Sequence, residues 1–207
     1  MRYGLVLWDF DGTLADSLGC LLAIYNGLAA EHGFRPVDEP EAVRGLTALA
    51  LLRRCGVPLA RLPWLSRQIL TAQRGRMTDI RLFPGVLDAL QAALQSGCRM
   101  SVLSSNTEVN ILACLRANQA EGLFESVVGY PRLFGKARAI RRLLKKAGLD
   151  GKHLLYVGDE VRDIEAARKA GVAAAAVTWG LNSPQLLSRH EPDFLIERPE
   201  QIPELLT

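Results

Sequence analysis

Leu5-Val6-Leu7-Trp8 is an uninterrupted apolar run that ends on Asp9-Phe10-Asp11-Gly12-Thr13. A short run without polar alternation predicts a strand buried on both faces, here over residues 3–8. The next sixty residues carry no convincing strand. Leu18, Leu21, Leu22, Tyr25, Leu28 and Ala29 recur at helical spacing, which predicts a helix ending near Gly33. Residues 41–46 and 48–55 predict short helices. Gly56-Val57-Pro58 interrupts the pattern, and residues 62–76 predict another helix.

From Phe83-Pro84-Gly85 onward the pattern alternates. Helices are predicted over 86–95, from Ser105 to about 117, over 136–146 and over 160–170. Ser105-Asn106-Thr107-Glu108 has the spacing of a capping box. Strands are predicted over 99–103, 127–128, 154–157, 172–177 and 194–196. Alternating strands and helices call for an α/β fold with a parallel sheet and right-handed crossovers. The first strand joins that sheet. The chain is therefore expected to divide into an α/β core, residues 1–15 and 81–207, and an all-helical insert, residues 16–80.

Composition narrows the function classes. The 207 residues carry a formal net charge of +3, and their arginines are dispersed, so no basic stretch points to nucleic acid. No apolar stretch reaches membrane-spanning length, and Asp9 breaks the first apolar run before it could serve as a signal peptide. Cytoplasm is the expected compartment. Cys20, Cys55, Cys98 and Cys114 form no C-x-x-C pair and read as small buried hydrophobes. His32, His153 and His190 lack metal-ligand spacing.

The chemistry gathers at predicted strand ends. Asp9 and Asp11 lie two apart, so in extended chain both carboxylates point to one side. Adjacent like charges raise each other's pKa unless a cation intervenes. The pair thus suggests a divalent metal, or one carboxyl held protonated as an acid; a polar loop that caps the next helix is the plainer account. Ser104 ends the second core strand just before a helix N-terminus, a ready anion site, while Ser105 also suits a helix cap. Lys136, the first lysine of the chain, follows Phe134-Gly135 and opens a helix where positive charge opposes the dipole. That placement suits an anionic neighbour, or a solvated side chain. Asp159 closes a buried strand and Asp163 follows four residues later, so Asp159 could ligate a metal with Asp163 orienting it. Capping by Asp159 would explain the first of these but not the second.

Asp9-Phe10-Asp11-Gly12-Thr13 resembles the D-x-D-G-T signature of the haloacid dehalogenase-like superfamily. Asp9/Asp11, Ser104, Lys136 and Asp159 with Asp163 resemble its four motifs, in order. The insert sits where the subfamily with an α-helical cap carries that cap. Gly129–Gly135, Tyr156-Val157-Gly158-Asp159-Glu160 and Val177-Thr178-Trp179-Gly180 resemble the phosphoglycolate phosphatase-like branch. The resemblance implies a Rossmann-like core and hydrolysis of a small phosphorylated metabolite. By it, Asp9 is the nucleophile and Asp11 the acid and base. Mg²⁺ is held by Asp9, Asp159 and the Asp11 carbonyl. Ser104 and Lys136 grip the phosphoryl group, with Thr13, Ser105 and Asn106 as further polar contacts. Asp163 stands behind the metal ligands. Asp11 argues against dehalogenation, and a cap without lysine argues against phosphonatase chemistry. A phosphomutase, or a binding or regulatory module without catalysis, keeps the same core. Arg44, Arg53, Arg54 and Arg74 are the cap cations available to a substrate carboxylate. Either a monomer or a homodimer fits the sequence.

Overall fold

The computed structural model describes residues 3–130 and 135–206. Six strands form one all-parallel sheet: β1 (Leu5–Trp8), β2 (Arg99–Ser104), β3 (Ser126–Gly129), β4 (Leu154–Gly158), β5 (Ala173–Val177) and β6 (Phe194–Ile196). Their spatial order is β3-β2-β1-β4-β5-β6. The chain thus grows outward on one side of β1, then restarts at β4 on its other side. Such a reversal opens a crevice at the carboxyl ends of the two central strands, where α/β sheets bind ligands.

The apolar run of β1 is explained by its two neighbours in depth. Side chains alternate across a strand, so Val6 and Trp8 enter one core layer and Leu5 and Leu7 the other. The first layer packs against α4 (Val86–Gln95), α5 (Glu108–Ala117) and α9 (Gln201–Leu206) through residues such as Leu90, Ile111 and Ile202. The second packs against α6 (Lys136–Ala147) and α7 (Val161–Ala170) through Ile140, Leu144 and Ile164. With both faces covered, each strand can be apolar throughout. A further short helix, α8 (Pro184–Arg189), precedes β6.

Between β1 and α4 lie α1 (Leu18–His32), α2 (Ala48–Arg54) and α3 (Leu62–Gln73). They close on a hydrophobic cluster of their own, Tyr25, Ala29, Val37, Val43, Cys55, Val57 and Leu65. The helix predicted at 41–46 is only a 3-10 turn, Pro40–Val43, because a single buried residue, Val43, anchors it. The helix predicted over 62–76 ends at Gln73, and a 3-10 turn, Arg74–Arg76, follows. Helices α8 and α9 were not legible from periodicity, being six residues each. The helix after β2 is capped by Thr107 rather than Ser105. Thr107 is extended, at φ −82° and ψ 147°, and its hydroxyl accepts the Asn110 N–H at 3.3 Å. Of the Gly129–Gly135 stretch, residues 131–134, including Phe134, lie outside the described residues.

The separate helical cluster makes a prediction. Leu65→Ala should cost about 2–5 kcal/mol within it. Hydrogen exchange should accelerate in α1 and α3 while β1 and β4 keep their protection. Equal acceleration in the central strands would mean the two units unfold together.

Candidate active site

The crevice between β1 and β4 collects the chemistry. Asp9 leaves β1 with its N–H donating to the Val157 carbonyl of β4 at 2.8 Å. It is 2% exposed. Its Oδ1 accepts the Phe10 N–H at 2.8 Å and its Oδ2 accepts Lys136 Nζ at 2.8 Å. Burial alone would raise this carboxyl, but the Lys136 ammonium, Arg162 and the Phe10 amide outweigh it and hold Asp9 below its ordinary value. Lys136 sits in the first turn of α6 and also donates to Asp163 Oδ1 at 2.6 Å. Burial opposes its charge, yet Asp163 and Asp9 together raise its pKa. Two carboxylates thus offset the helix dipole that made its position anomalous.

Asp11 is turned to the other side. Its Oδ1 accepts from Ser17 Oγ at 2.7 Å and from Gln73 Nε2 at 3.1 Å, and its Oδ2 accepts from Asn106 Nδ2 at 2.9 Å. Asn106 Nδ2 also donates to Gln73 Oε1 at 3.0 Å. Burial raises the Asp11 pKa; the hydrogen bonds from Ser17 and Asn106 pull against it, Asp9 adds to it, and the net direction is upward.

Asp159 follows β4 and is 1% exposed. Thr13 Oγ1 donates to its Oδ1 at 2.9 Å and the Leu181 N–H to its Oδ2 at 2.7 Å. Burial, then Glu160, Asp163 and Asp9, push its pKa well above the ordinary value. Asp163 Oδ2 accepts the Glu160 N–H at 3.2 Å, so Asp163 is the N-terminal lock of α7 as well as the partner of Lys136. Glu160, not Asp159, is the capping position there. Burial raises the Asp163 carboxyl to about 6 despite the opposing Lys136 charge. Glycines let backbone approach these groups. Gly12 turns at φ 77°, and a Cβ on either Gly12 or Gly180 would collide with Asp159.

Ser104 is fully buried and its Oγ accepts the Asn106 N–H at 3.3 Å. Ser105 Oγ accepts from Arg162 Nη2 at 3.3 Å. All the expected site residues therefore meet at one crevice. Gln73 and Arg162 were not anticipated. Nothing in the local pattern singles out Gln73, and the only signal for Arg162 is its position between Asp159 and Asp163. The cap arginines stand elsewhere: Arg44 donates to the Thr178 carbonyl at 2.9 Å, Arg53 and Arg54 are exposed, and exposed Arg74 lines a different cavity beside α5.

Asp9, Asp159 and Asp163 offer carboxylate oxygens that all lie within 4.8 Å of one another. An all-oxygen, all-carboxylate set in which Asp9 and its neighbours raise the Asp159 and Asp163 carboxyls fits a hard divalent cation such as Mg²⁺. The consequence is measurable without catalysis. Carboxyls raised in the fold bind protons that the unfolded chain has released, so stability falls as pH climbs from 3.8 through about 6 for Asp163, and the raised Asp159 carboxyl adds to the fall in the same direction. Asp159→Asn should raise the Tm of the metal-free protein at neutral pH. Its amide can serve Thr13 and Leu181 without the charge. Mg²⁺ at a hundred times its Kd should stabilise the parent protein by about 2.7 kcal/mol. The gain should shrink at about pH 5, where protons compete, and vanish in Asp159→Asn. An undiminished Mg²⁺ shift in that variant would remove Asp159 from the cation site.

Known proteins agree with this architecture. A family model described as haloacid dehalogenase-like hydrolase matches residues 6–177. A phosphoglycolate phosphatase of Synechococcus elongatus is 36% identical over 98% of this chain and 96% of its own length. Another, of Agrobacterium fabrum, is 30% identical over 93% of this chain and 88% of its own. The crystal structure of a predicted phosphoglycolate phosphatase from Haemophilus somnus 129pt, 24% identical, superposes with a TM-score of 0.81 over 100% of this chain and 99% of that one. The chain belongs to the haloacid dehalogenase-like hydrolase family.

Proposed function

We propose that the protein is a Mg²⁺-dependent phosphatase that hydrolyses a small phosphomonoester through an aspartyl-phosphate on Asp9. The observation that carries this reading is the divergence of two carboxyls two residues apart. Asp9 is held ionised and Asp11 is pushed towards its protonated form. Such a pair supplies a nucleophile and a general acid at one pH.

The Asp9 carboxylate attacks phosphorus, and the bond from phosphorus to the ester oxygen breaks. Asp11 gives its proton to the departing oxygen. It then takes one from the water that attacks the aspartyl-phosphate, freeing inorganic phosphate and restoring Asp9. Lys136 faces the phosphoryl oxygens as a compact fixed charge, and Ser104 retains its hydroxyl proton to donate to one of them. Thr13, Ser105 and Asn106 act mainly by holding Asp159, Arg162 and Asp11, the groups they are bonded to. Asp9, Asp159 and the Asp11 carbonyl would hold Mg²⁺, with Asp163 fixing Lys136 behind them. The cation, when bound, offsets the crowded carboxylates and draws charge from the phosphoryl oxygens.

Residues 16–80 act as a cap over this core. They supply one wall of a cavity of about 150 Å³ through Leu18, Leu21, Ile69 and Leu70, facing Asp11 and Asp159. A space this small suits a short ester, in keeping with the activity named for the relatives.

Purified protein with Mg²⁺ should release phosphate from small esters in a metabolite panel. Asp9→Asn should abolish that release while still folding cooperatively, with a lowered Tm because Lys136 loses one of its two buried counter-charges. Turnover surviving in a clean Asp9→Asn preparation would exclude the covalent route. Lys136→Ala should lower kcat by roughly 10²–10³-fold. Its stability should also drop, because two buried carboxylates lose their counter-charge. Lys145→Ala, exposed on the same helix, is the control. Equal small effects on kcat would place Lys136 outside the reaction.

A further inference from the structure

The cavity beside Asp11 is lined by Gly12, Ser105, Asn106, Gln73, apolar cap residues and, from α7, Arg162. Among the described residues lining it, Arg162 is the one basic side chain. It is placed there by α7 itself, one residue before Asp163, so the helix that fixes Lys136 also fixes the guanidinium. Its Nη2 donates to Glu160 Oε1 at 2.5 Å and to Ser105 Oγ at 3.3 Å. Its Nε is enclosed and has no hydrogen-bond partner. The side chain keeps 25% of its surface accessible, against 9% for its partner Glu160. With Nη2 engaged by protein acceptors, the quarter of the side chain that stays accessible is where a ligand acceptor can meet the guanidinium.

The charges around it say which acceptor. Asp9, Asp11, Asp159, Glu160 and Asp163 crowd the crevice, and both carboxylates nearest Lys136 already occupy that ammonium. A substrate with a second anionic group needs a second cation, and the cap does not bring one. Arg44 turns to the Thr178 carbonyl and Glu41 and does not line this cavity, and Arg74 lies beside a different one. We infer that Arg162 is the specificity-determining residue that receives a carboxylate on the alcohol portion of a small phosphomonoester. A guanidinium offers five donors in a fixed fork, so it can hold Glu160 on one edge and a planar carboxylate on another. Ser105 keeps the fork aimed. The discrimination would then lie in the core, on the same helix as Asp163, which positions Lys136, with the cap contributing shape.

This inference rests on the phosphatase reading above, and the test separates the two. Two esters differ only at the far end: 2-phosphoglycolate carries a carboxylate where ethyl phosphate carries a methyl group. With Mg²⁺, the unaltered protein should favour 2-phosphoglycolate in kcat/KM. Arg162→Gln should lower the ratio of the two kcat/KM values by roughly 10- to 100-fold, the worth of a charge-assisted hydrogen bond. Arg162→Lys keeps the ion pair with Glu160 and should lower the ratio less, because one point charge replaces a fork; it also serves if the glutamine variant does not fold. Loss of both esters by the same factor would put Arg162 on the phosphoryl group or in the framework and overturn the inference. So would an unaltered protein that hydrolyses p-nitrophenyl phosphate but does not prefer the carboxylate ester. A protein that hydrolyses none of the three would overturn the phosphatase reading, and the inference with it.

Discussion

The site depends on one ammonium buried between two carboxylates. Lys136 binds Asp9 and Asp163 at 2.8 and 2.6 Å, all three side chains being almost fully buried. Burying charges is costly, and only close pairing offsets it. The three residues come from β1, α6 and α7, so the pairing also fixes how these elements meet. Asp163 then returns its second oxygen to the first turn of α7. A displacement of α6 would unpair Asp9 and leave Asp163 uncompensated at the same moment. Chemistry and architecture therefore share one set of contacts.

The sheet topology makes that pairing possible. β1 and β4 are neighbours in register, Trp8 beside Val157, so the residues that follow them emerge side by side. Asp9 and Asp159 cannot then avoid each other. Their mutual repulsion is opposed from outside the sheet by the Thr13 hydroxyl and the Leu181 N–H, which bind Asp159. Gly180 permits the latter approach, since any side chain there would meet Asp159 and the Gly12 carbonyl. Close backbone packing thus holds the charged groups at a separation they would not choose.

The sheet was legible because its strands are short, mostly apolar runs closed by glycine or polar residues. Asp9, Ser104 and Asp159 are all read that way. The helices between β1 and α4 were legible too, from about sixty residues with helical spacing and no strand. What escaped was set by tertiary contact. Residues 105–108 fit one capping pattern, but Asn106 is drawn to Asp11 and Gln73, and the cap passes to Thr107. Gln73 looks like an ordinary solvated helix residue and is fully buried. Only the fold shows that a polar network awaits it. Arg162 likewise reads as one charged residue among several on α7 until Glu160 and Ser105 are seen to hold it.

Gln73 and Ser17 give Asp11 an unusual setting. The chain leaves the core for the helices at Ser17 and ends α3 at Gln73. Both side chains donate to the same oxygen of Asp11, while Asn106 of the core donates to the other. Three donors on two oxygens favour the carboxylate, whereas burial and Asp9 favour the acid. The balance turns on donors that belong to the helical unit. The Ser17 and Gln73 bonds come from residues 16–80, so the helices between β1 and α4 contribute two of the three donors that oppose the effect of burial on Asp11.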